Sequence, residues 1–197
     1  VIYELARTAD VFLTNYLPNQ RQKMKFDIEH IRAVNPKIIY ARGSAYGDKG
    51  PERDTGGFDG TAFWSRSGIG YTMTPEELSG PLAQAIPAFG DSIGGMNIAG
   101  GIAAALFHRA RTGEAVELDV SLLSTAWWAS GTSIDIGLDT GKVLRNRMPQ
   151  SGGNPGNPLA GNYRTSDGGT INLCILTPGP LIRDTFAPLL IGANPLD

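Results

Sequence analysis

The runs Asp10-Val11-Phe12-Leu13-Thr14 and Lys37-Ile38-Ile39-Tyr40-Ala41 decide the fold class. Each is short, rich in β-branched and aromatic residues, and bounded by turn signals, as a strand covered on both faces must be. Between them, Asp27 precedes Ile28, Ile31 and Val34 at helical spacing, with a stop at Asn35-Pro36, the pattern of a capped helix. Strand, helix, strand implies a parallel sheet layered by helices, an α/β architecture. Ahead of the first strand, Ile2, Leu5, Ala6 and Ala9 mark the end of another helix. Behind it, Asn15 to Asn19 forms a loop around Pro18, and Gln20 to Met24 forms one helical turn. Ligands of parallel sheets gather beyond the carboxyl ends of the strands, so Asn15 and Arg42-Gly43-Ser44 belong on one rim.

Further along, a glycine-rich loop spans Gly43 to Gly57, a helix is expected over Phe58 to Ser67, and residues 70–88 read as irregular. The stretch Phe89-Gly90-Asp91-Ser92-Ile93-Gly94-Gly95-Met96, running on to Arg111, is the longest helical pattern. It is apolar on all sides from Ile98 to Phe107, which predicts a buried helix. Gly94, Gly95, Gly100 and Gly101 each cost such a helix about 1 kcal/mol relative to alanine, so close approach of a neighbour or ligand is expected. Asp91 falls in the first turn, beside unbonded N–H groups and the positive dipole end. It reads either as a cap or as a carboxylate held ionised, a nucleophile or base, at the mouth of a glycine-lined cleft.

The helix closes on Thr112-Gly113, with glycine in the place that favours a left-handed turn. Glu114 to Val120 alternates as a strand, and Leu122 to Ile136 reads as a helix whose Trp127-Trp128 pair belongs to the core. From Gly137 the character changes: Ser151-Gly152-Gly153-Asn154-Pro155-Gly156-Asn157-Pro158 holds no regular structure. A β-hairpin over Gly161 to Thr165 and Thr170 to Leu176 follows, then a helix over Pro180 to Leu190. The expected layout is part of a large α/β domain at 1–136, a glycine-rich linker or lid at 137–160, and the start of a smaller α+β domain at 161–197.

Composition narrows the function. The 197 residues are 41% hydrophobic and 18% charged, which is ordinary for a globular protein. A net charge of −2 leaves no basic footprint for nucleic acid, and no apolar run is long enough to span a membrane. The single cysteine, Cys174, excludes an internal disulfide and suits a cytoplasmic, reducing compartment. His30 and His108 lie far apart, so no metal-ligand cluster is visible. No GxGxxG follows a strand and no GxSxG is present, which leaves dinucleotide binding and serine hydrolysis without support. Arg21, Lys23 and Lys25 around Met24 form the densest basic cluster. It reads as a solvated turn or as a phosphate clamp, with Met24 offering a polarisable surface to a flat base. The chain begins at Val1 inside one helical pattern and stops at Asp197 beside another, so it reads as a piece of a longer polypeptide.

Four stretches, taken together, resemble the class III CoA-transferase family, which includes the 2-methylacyl-CoA racemases. They are Ala9 to Asn15 with Pro18; Asn35-Pro36-Lys37-Ile38-Ile39-Tyr40; Gly43-Ser44-Ala45-Tyr46-Gly47-Asp48-Lys49-Gly50-Pro51; and Gly90-Asp91 with Gly94-Gly95, Ala104 to Leu106 and Arg111-Thr112-Gly113. The chain departs from the family at Asn19 and at Glu114-Ala115, where glycines are usual. The resemblance implies a Rossmann-like, CoA-binding large domain and subunits interlocked as a homodimer. It also implies a formyl-CoA-transferase-like reaction: Asp91 attacks an acyl-CoA thioester, forms a mixed anhydride and then an aspartyl-CoA thioester, and a carboxylic acid takes the CoA. The CoA thioester is a co-substrate, and no tightly bound cofactor or metal is implied. Asn15, Lys23 and Met24 fall on family positions that line the CoA nucleotide site, and Ser44, on the same rim, is expected to bind CoA with them. Gly152 and Gly153 resemble the glycine loop that shields the intermediates from water.

Within the family a racemase needs a histidine base before the aspartate of the segment Thr55-Gly56-Gly57-Phe58-Asp59. Phe58 stands there and exchanges no proton, which favours the transferase. A protein that binds acyl-CoA without catalysis, with Asp91 as a cap, is the alternative from another class.

Overall fold

The computed structural model describes residues 1–80, 86–145 and 160–176, together with Asp184. The chain divides into two units, Val1–Thr74 with Gly80–Arg145, and Pro75–Ser79 with Asn146–Asp197.

The first unit opens with α1 (Ile2–Thr8), β1 (Val11–Thr14), α2 (Pro18–Met24), α3 (Ile28–Arg32) and β2 (Ile39–Ser44). α2 starts two residues earlier than the sequence suggests, because a proline in the first helical position gives up an N–H that would be unbonded there anyway. Asp27 caps α3, its carboxylate accepting from the Ile28 N–H at 2.9 Å. A π-helix (Asp59–Arg66) follows the glycine loop, and α4 (Ile69–Met73) occupies part of the stretch expected to be irregular. Then come α5 (Phe89–Thr112), β3 (Glu117–Ser121), α6 (Leu122–Ala129) and α7 (Gly131–Thr140). The single helix expected over 122–136 is thus two. The break falls at Ser130-Gly131, where the Ser130 hydroxyl donates to the Ala126 carbonyl at 2.8 Å and competes with the helical ladder.

The sheet is parallel in the order β1-β2-β3, with Val11 opposite Ile39 and Tyr40 opposite Glu117. The middle strand is covered on both faces: Ile39, Tyr40 and Ala41 are fully buried. On one face Tyr40 joins Ala6, Phe26, Ile31 and Ile38 in a cluster flanked by Phe12, Ile28 and Val34. α5 crosses the sheet against β2 and β3. Beside it Phe63, Trp64, Ile69 and Ala126 form a second cluster.

Two expectations about burial fail. α5 buries only Gly90, Gly94 and Ala105 completely, while Met96 and Phe107 on its outer side are exposed. An all-round apolar helix has every face suited to cover, but this chain's described elements cover one. Trp127 and Trp128 are likewise outside the core, Trp128 with 80% of its surface exposed.

In the second unit an antiparallel hairpin is described, β4 (Ala160–Arg164) with β5 (Thr170–Cys174), closed by a turn in which Gly168 takes φ +86°. The helix expected over 180–190 and the glycine loop at 151–158 lie outside the described residues, apart from Asp184.

Candidate active site

Arg109, near the end of α5, donates to the carbonyls of Asp10 at 3.2 Å and Lys37 at 2.9 Å and pairs with the Asp10 carboxylate. Those carbonyls precede β1 and β2, so the carboxyl end of α5 is tied to the amino ends of the strands. α5 therefore runs against the strands and delivers its own amino end to their carboxyl rim.

At that rim lies a cavity of about 740 Å³. Asn15 follows β1, Gly43 and Ser44 close β2, and Val120 and Ser121 close β3; all line it. The first turns of α5 contribute Asp91, Gly94, Gly95 and Ile98, and the loop before the π-helix contributes Gly57 and Phe58. The structure thus brings together Asn15, Ser44 and Asp91 from the sequence candidates. Lys23 and Met24 are exposed on α2 and do not line this cavity. Gly152 and Gly153 lie outside the described residues. Leu17, Phe58, Ile98 and Leu122 also line the cavity, and only the fold reveals them as neighbours.

Of the basic cluster, Arg21 is not a surface residue. It is 1% exposed and donates to Asp27 at 3.1 Å, to the Tyr16 carbonyl at 2.9 Å and to Asp48 at 2.6 Å. It is thus fully engaged in holding α2 to the loop after β2. Ser44 shapes the same loop by accepting from the Gly47 N–H at 3.0 Å.

The start of α5 is clamped. Ala88 enters it at φ +56°, in the left-handed region that alanine rarely adopts. Phe89 packs edge-on against Phe63, centroids 6.1 Å apart, and tilted against Trp64 at 5.9 Å. The Gly90 N–H donates to Asp59 Oδ1 at 3.0 Å. A side chain at Gly90 has no room, since its Cβ would lie 2.2 Å from the Phe63 ring and 2.4 Å from the Asp59 carboxylate.

Capping, one of the two readings of Asp91, is therefore performed by Asp59, 4% exposed at the head of the π-helix. Burial and the negative charge of Asp91 push the Asp59 carboxyl above its usual range, opposed by the N–H groups of Gly90 and Phe89. Asp91, third residue of α5, is exposed to the cavity, and its carboxylate forms no hydrogen bond or ion pair with any described residue. It is also the one ionisable side chain among the described residues that line the cavity.

Glycines of α5 serve different ends. A Cβ at Gly101 would lie 2.6 Å from the Leu118 side chain, so that glycine lets helix and sheet approach. A Cβ at Gly95 would meet nothing within 4 Å, leaving bare backbone facing the open cavity. A carboxylate on a glycine-lined wall, at the positive end of a long helix, suits attack on an electrophilic carbonyl.

The sequence model of CoA-transferase family III matches residues 1–186. The chain belongs to that family. The (R)-2-hydroxy-4-methylpentanoate CoA-transferase of Clostridioides difficile is 35% identical over 176 residues, 89% of this chain and 42% of that protein. The cinnamoyl-CoA:phenyllactate CoA-transferase of Clostridium sporogenes is 31% identical over 195 residues, 96% of this chain and 45% of that protein. A formyl-CoA:oxalate CoA-transferase of Streptomyces avermitilis, 34% identical over 122 residues, covers 62% of this chain and 29% of its own length. A formyl-type specificity is thus one among several in these relatives. Among solved structures, a hypothetical protein of Mycobacterium tuberculosis superposes with TM-score 0.76 at 27% identity, over 97% of this chain and 48% of that one. A CAIB/BAIF family protein of Brucella suis gives 0.75 at 26%, over 98% and 48%. This family III chain spans less than half the length of each of these proteins. Among its described residues no helix is long and apolar enough to cross a membrane.

Proposed function

We propose that the complete protein moves CoA from an acyl-CoA thioester to a carboxylic acid, with Asp91 as the covalent nucleophile. The observation that carries this reading is the isolation of Asp91, unbonded and the one ionisable group among the described cavity-lining residues. The positive end of the α5 dipole favours negative charge at this place, which suits a carboxylate nucleophile. An Asp91 oxygen attacks the thioester carbonyl, the C–S bond breaks, and CoA thiolate leaves a mixed anhydride behind. The thiolate then attacks the Asp91 carbonyl of that anhydride and expels the donor acid, which departs with the bridging oxygen from Asp91. The acceptor carboxylate attacks the resulting aspartyl-CoA thioester and displaces CoA thiolate, giving a second anhydride. Thiolate attack on the acceptor's acyl carbon releases the new thioester and restores Asp91 with an oxygen from the acceptor.

The proposed acids are 2-hydroxy acids with branched or aromatic side chains. Two relatives named above act on such acids by their names. The apolar lining of Leu17, Ile98, Leu122 and the 82%-exposed Phe58 offers such a side chain a surface. Phe58 also leaves a proton-exchanging racemase without its base. Asn15 and Ser44 are proposed to hold the CoA arm at the rim, Lys23 a phosphate and Met24 the adenine face, with Gly152 and Gly153 shielding the intermediates. The uncovered apolar side chains Met96, Phe107 and Trp128 support an interlocked homodimer of full-length subunits.

Incubation of the full-length protein with acyl-CoA, without acceptor and with hydroxylamine, is expected to leave a hydroxamate on Asp91. Intact CoA-ester binding with no modified aspartate would instead mark a binding protein. Deuterium wash-in at the α-carbon without a hydroxamate would mark a racemase.

A further inference from the structure

Asp59 is a buried carboxylate that the proposed chemistry does not use, and its surroundings give it a task. Its Oδ1 accepts from the Gly90 N–H at 3.0 Å, immediately before Asp91 in the chain. Phe63 and Trp64, on its own π-helix, pack against Phe89, the residue before Gly90. The missing Cβ of Gly90 is what lets the two elements meet. A first-turn carboxylate ordinarily folds back on unbonded N–H groups at its own helix end. Here another carboxylate already occupies that place.

We propose that Asp59 is a positioning residue for the transferase reaction: by capping α5 it both fixes the helix start and leaves the Asp91 carboxylate directed into the cavity. This rests on Asp91 being the nucleophile. A cap supplied from the far end of an intervening segment, 31 positions upstream, makes the geometry of the attacking oxygen depend on the π-helix. Displacing a reacting group by about 1 Å is enough to cost a reaction about 100-fold. Substrate binding, which draws on the strand rim, depends on it much less.

The test compares wild type, Asp59→Asn and Asp59→Ala in the full-length protein. It reads steady-state kcat and KM and the single-turnover rate of hydroxamate formation at Asp91, well below the unfolding temperature. Asparagine keeps an acceptor oxygen in place, so its kcat is expected within about 10-fold of wild type. Alanine removes the acceptor, and its kcat and adduct rate are expected to fall by about 100-fold with little change in acyl-CoA KM. Should the alanine variant fail to fold, Asp59→Glu replaces it. Its carboxylate reaches one methylene further and is expected to lower kcat at constant KM in the same way. Wild-type adduct formation that is matched by a folded alanine or glutamate variant overturns the inference. A large kcat loss in Asp59→Asn overturns it too, since the acceptor would then not be what matters. No adduct in the wild type refutes the nucleophile reading itself.

Discussion

Gly90→Ala and Gly95→Ala place the same methyl group on the same helix, yet the two are predicted to act in opposite directions. In a helix interior, alanine is favoured over glycine by about 1 kcal/mol. At Gly95 the new Cβ meets nothing within 4 Å, so the full-length protein should gain up to about 1 kcal/mol. At Gly90 the Cβ would lie 2.2 Å from Phe63, which is 1% exposed and locked against Trp64. Overpacking of that kind costs about 1–3 kcal/mol, and displacing the Asp59 cap removes about 1 kcal/mol more. With the helix-propensity gain subtracted, Gly90→Ala should lose about 1–3 kcal/mol. Urea unfolding, compared at constant m-value, measures both. Catalysis should part company with stability at Gly95, because the methyl projects into the cavity: the more stable variant is expected to turn over more slowly. A Gly90→Ala protein as stable as wild type would refute the packing of α5 on the π-helix. A Gly95→Ala protein with full activity would show that substrate does not approach that backbone.

Lys23→Ala should raise the acyl-CoA KM about 10-fold, as loss of one charge-assisted phosphate contact worth about 1.5–3 kcal/mol requires; an unchanged KM would make Lys23 a solvated residue. Arg21→Met removes the buried cation from between Asp27 and Asp48, leaving Asp48 only its longer pair with Arg42 at 3.6 Å and Asp27 only uncharged donors, and should cost about 3 kcal/mol in urea unfolding; a neutral effect would show that the pairs add nothing net. Asp59 also makes stability depend on pH. Its carboxyl lies above the usual range in the folded chain, through burial and the Asp91 charge, so the folded state keeps that proton to higher pH than the unfolded state does. Its stabilising contribution is then present below the ordinary aspartate value and is lost as pH rises through the raised one. The stability of wild type relative to Asp59→Asn should therefore decline as pH rises from about 4, and a flat or rising difference would remove the coupling.

Much of the large unit is legible in the sequence because its signals are local. β1 and β2 announce themselves as unbroken apolar runs, Asp27 caps the helix directly after it, and Gly113 ends α5 at φ +78°. The errors arise where the partner is distant. Arg21 looks like a solvated cation until Asp48, 27 positions on, arrives beside it. Trp127 and Trp128 carry the composition of a core, but composition does not say which surface covers them. The site shows the same division. Asp91, Asn15 and Ser44 converge because strand ends and a helix start are readable, whereas the cap from Asp59 has no local signature and appears only once the π-helix has folded against α5.

Heavy-oxygen label in the carboxylate of the acceptor acid tests the central claim most directly. In the proposed sequence the acceptor leaves one of its oxygens on Asp91 when the second anhydride is opened by thiolate at the acyl carbon. After a single turnover of the full-length enzyme, peptide mass spectrometry should find one heavy oxygen in the Asp91 side chain and none in Asp59. Label that passes directly into the released donor acid while Asp91 stays light would contradict the account, because the two acids would then have exchanged CoA without the aspartate.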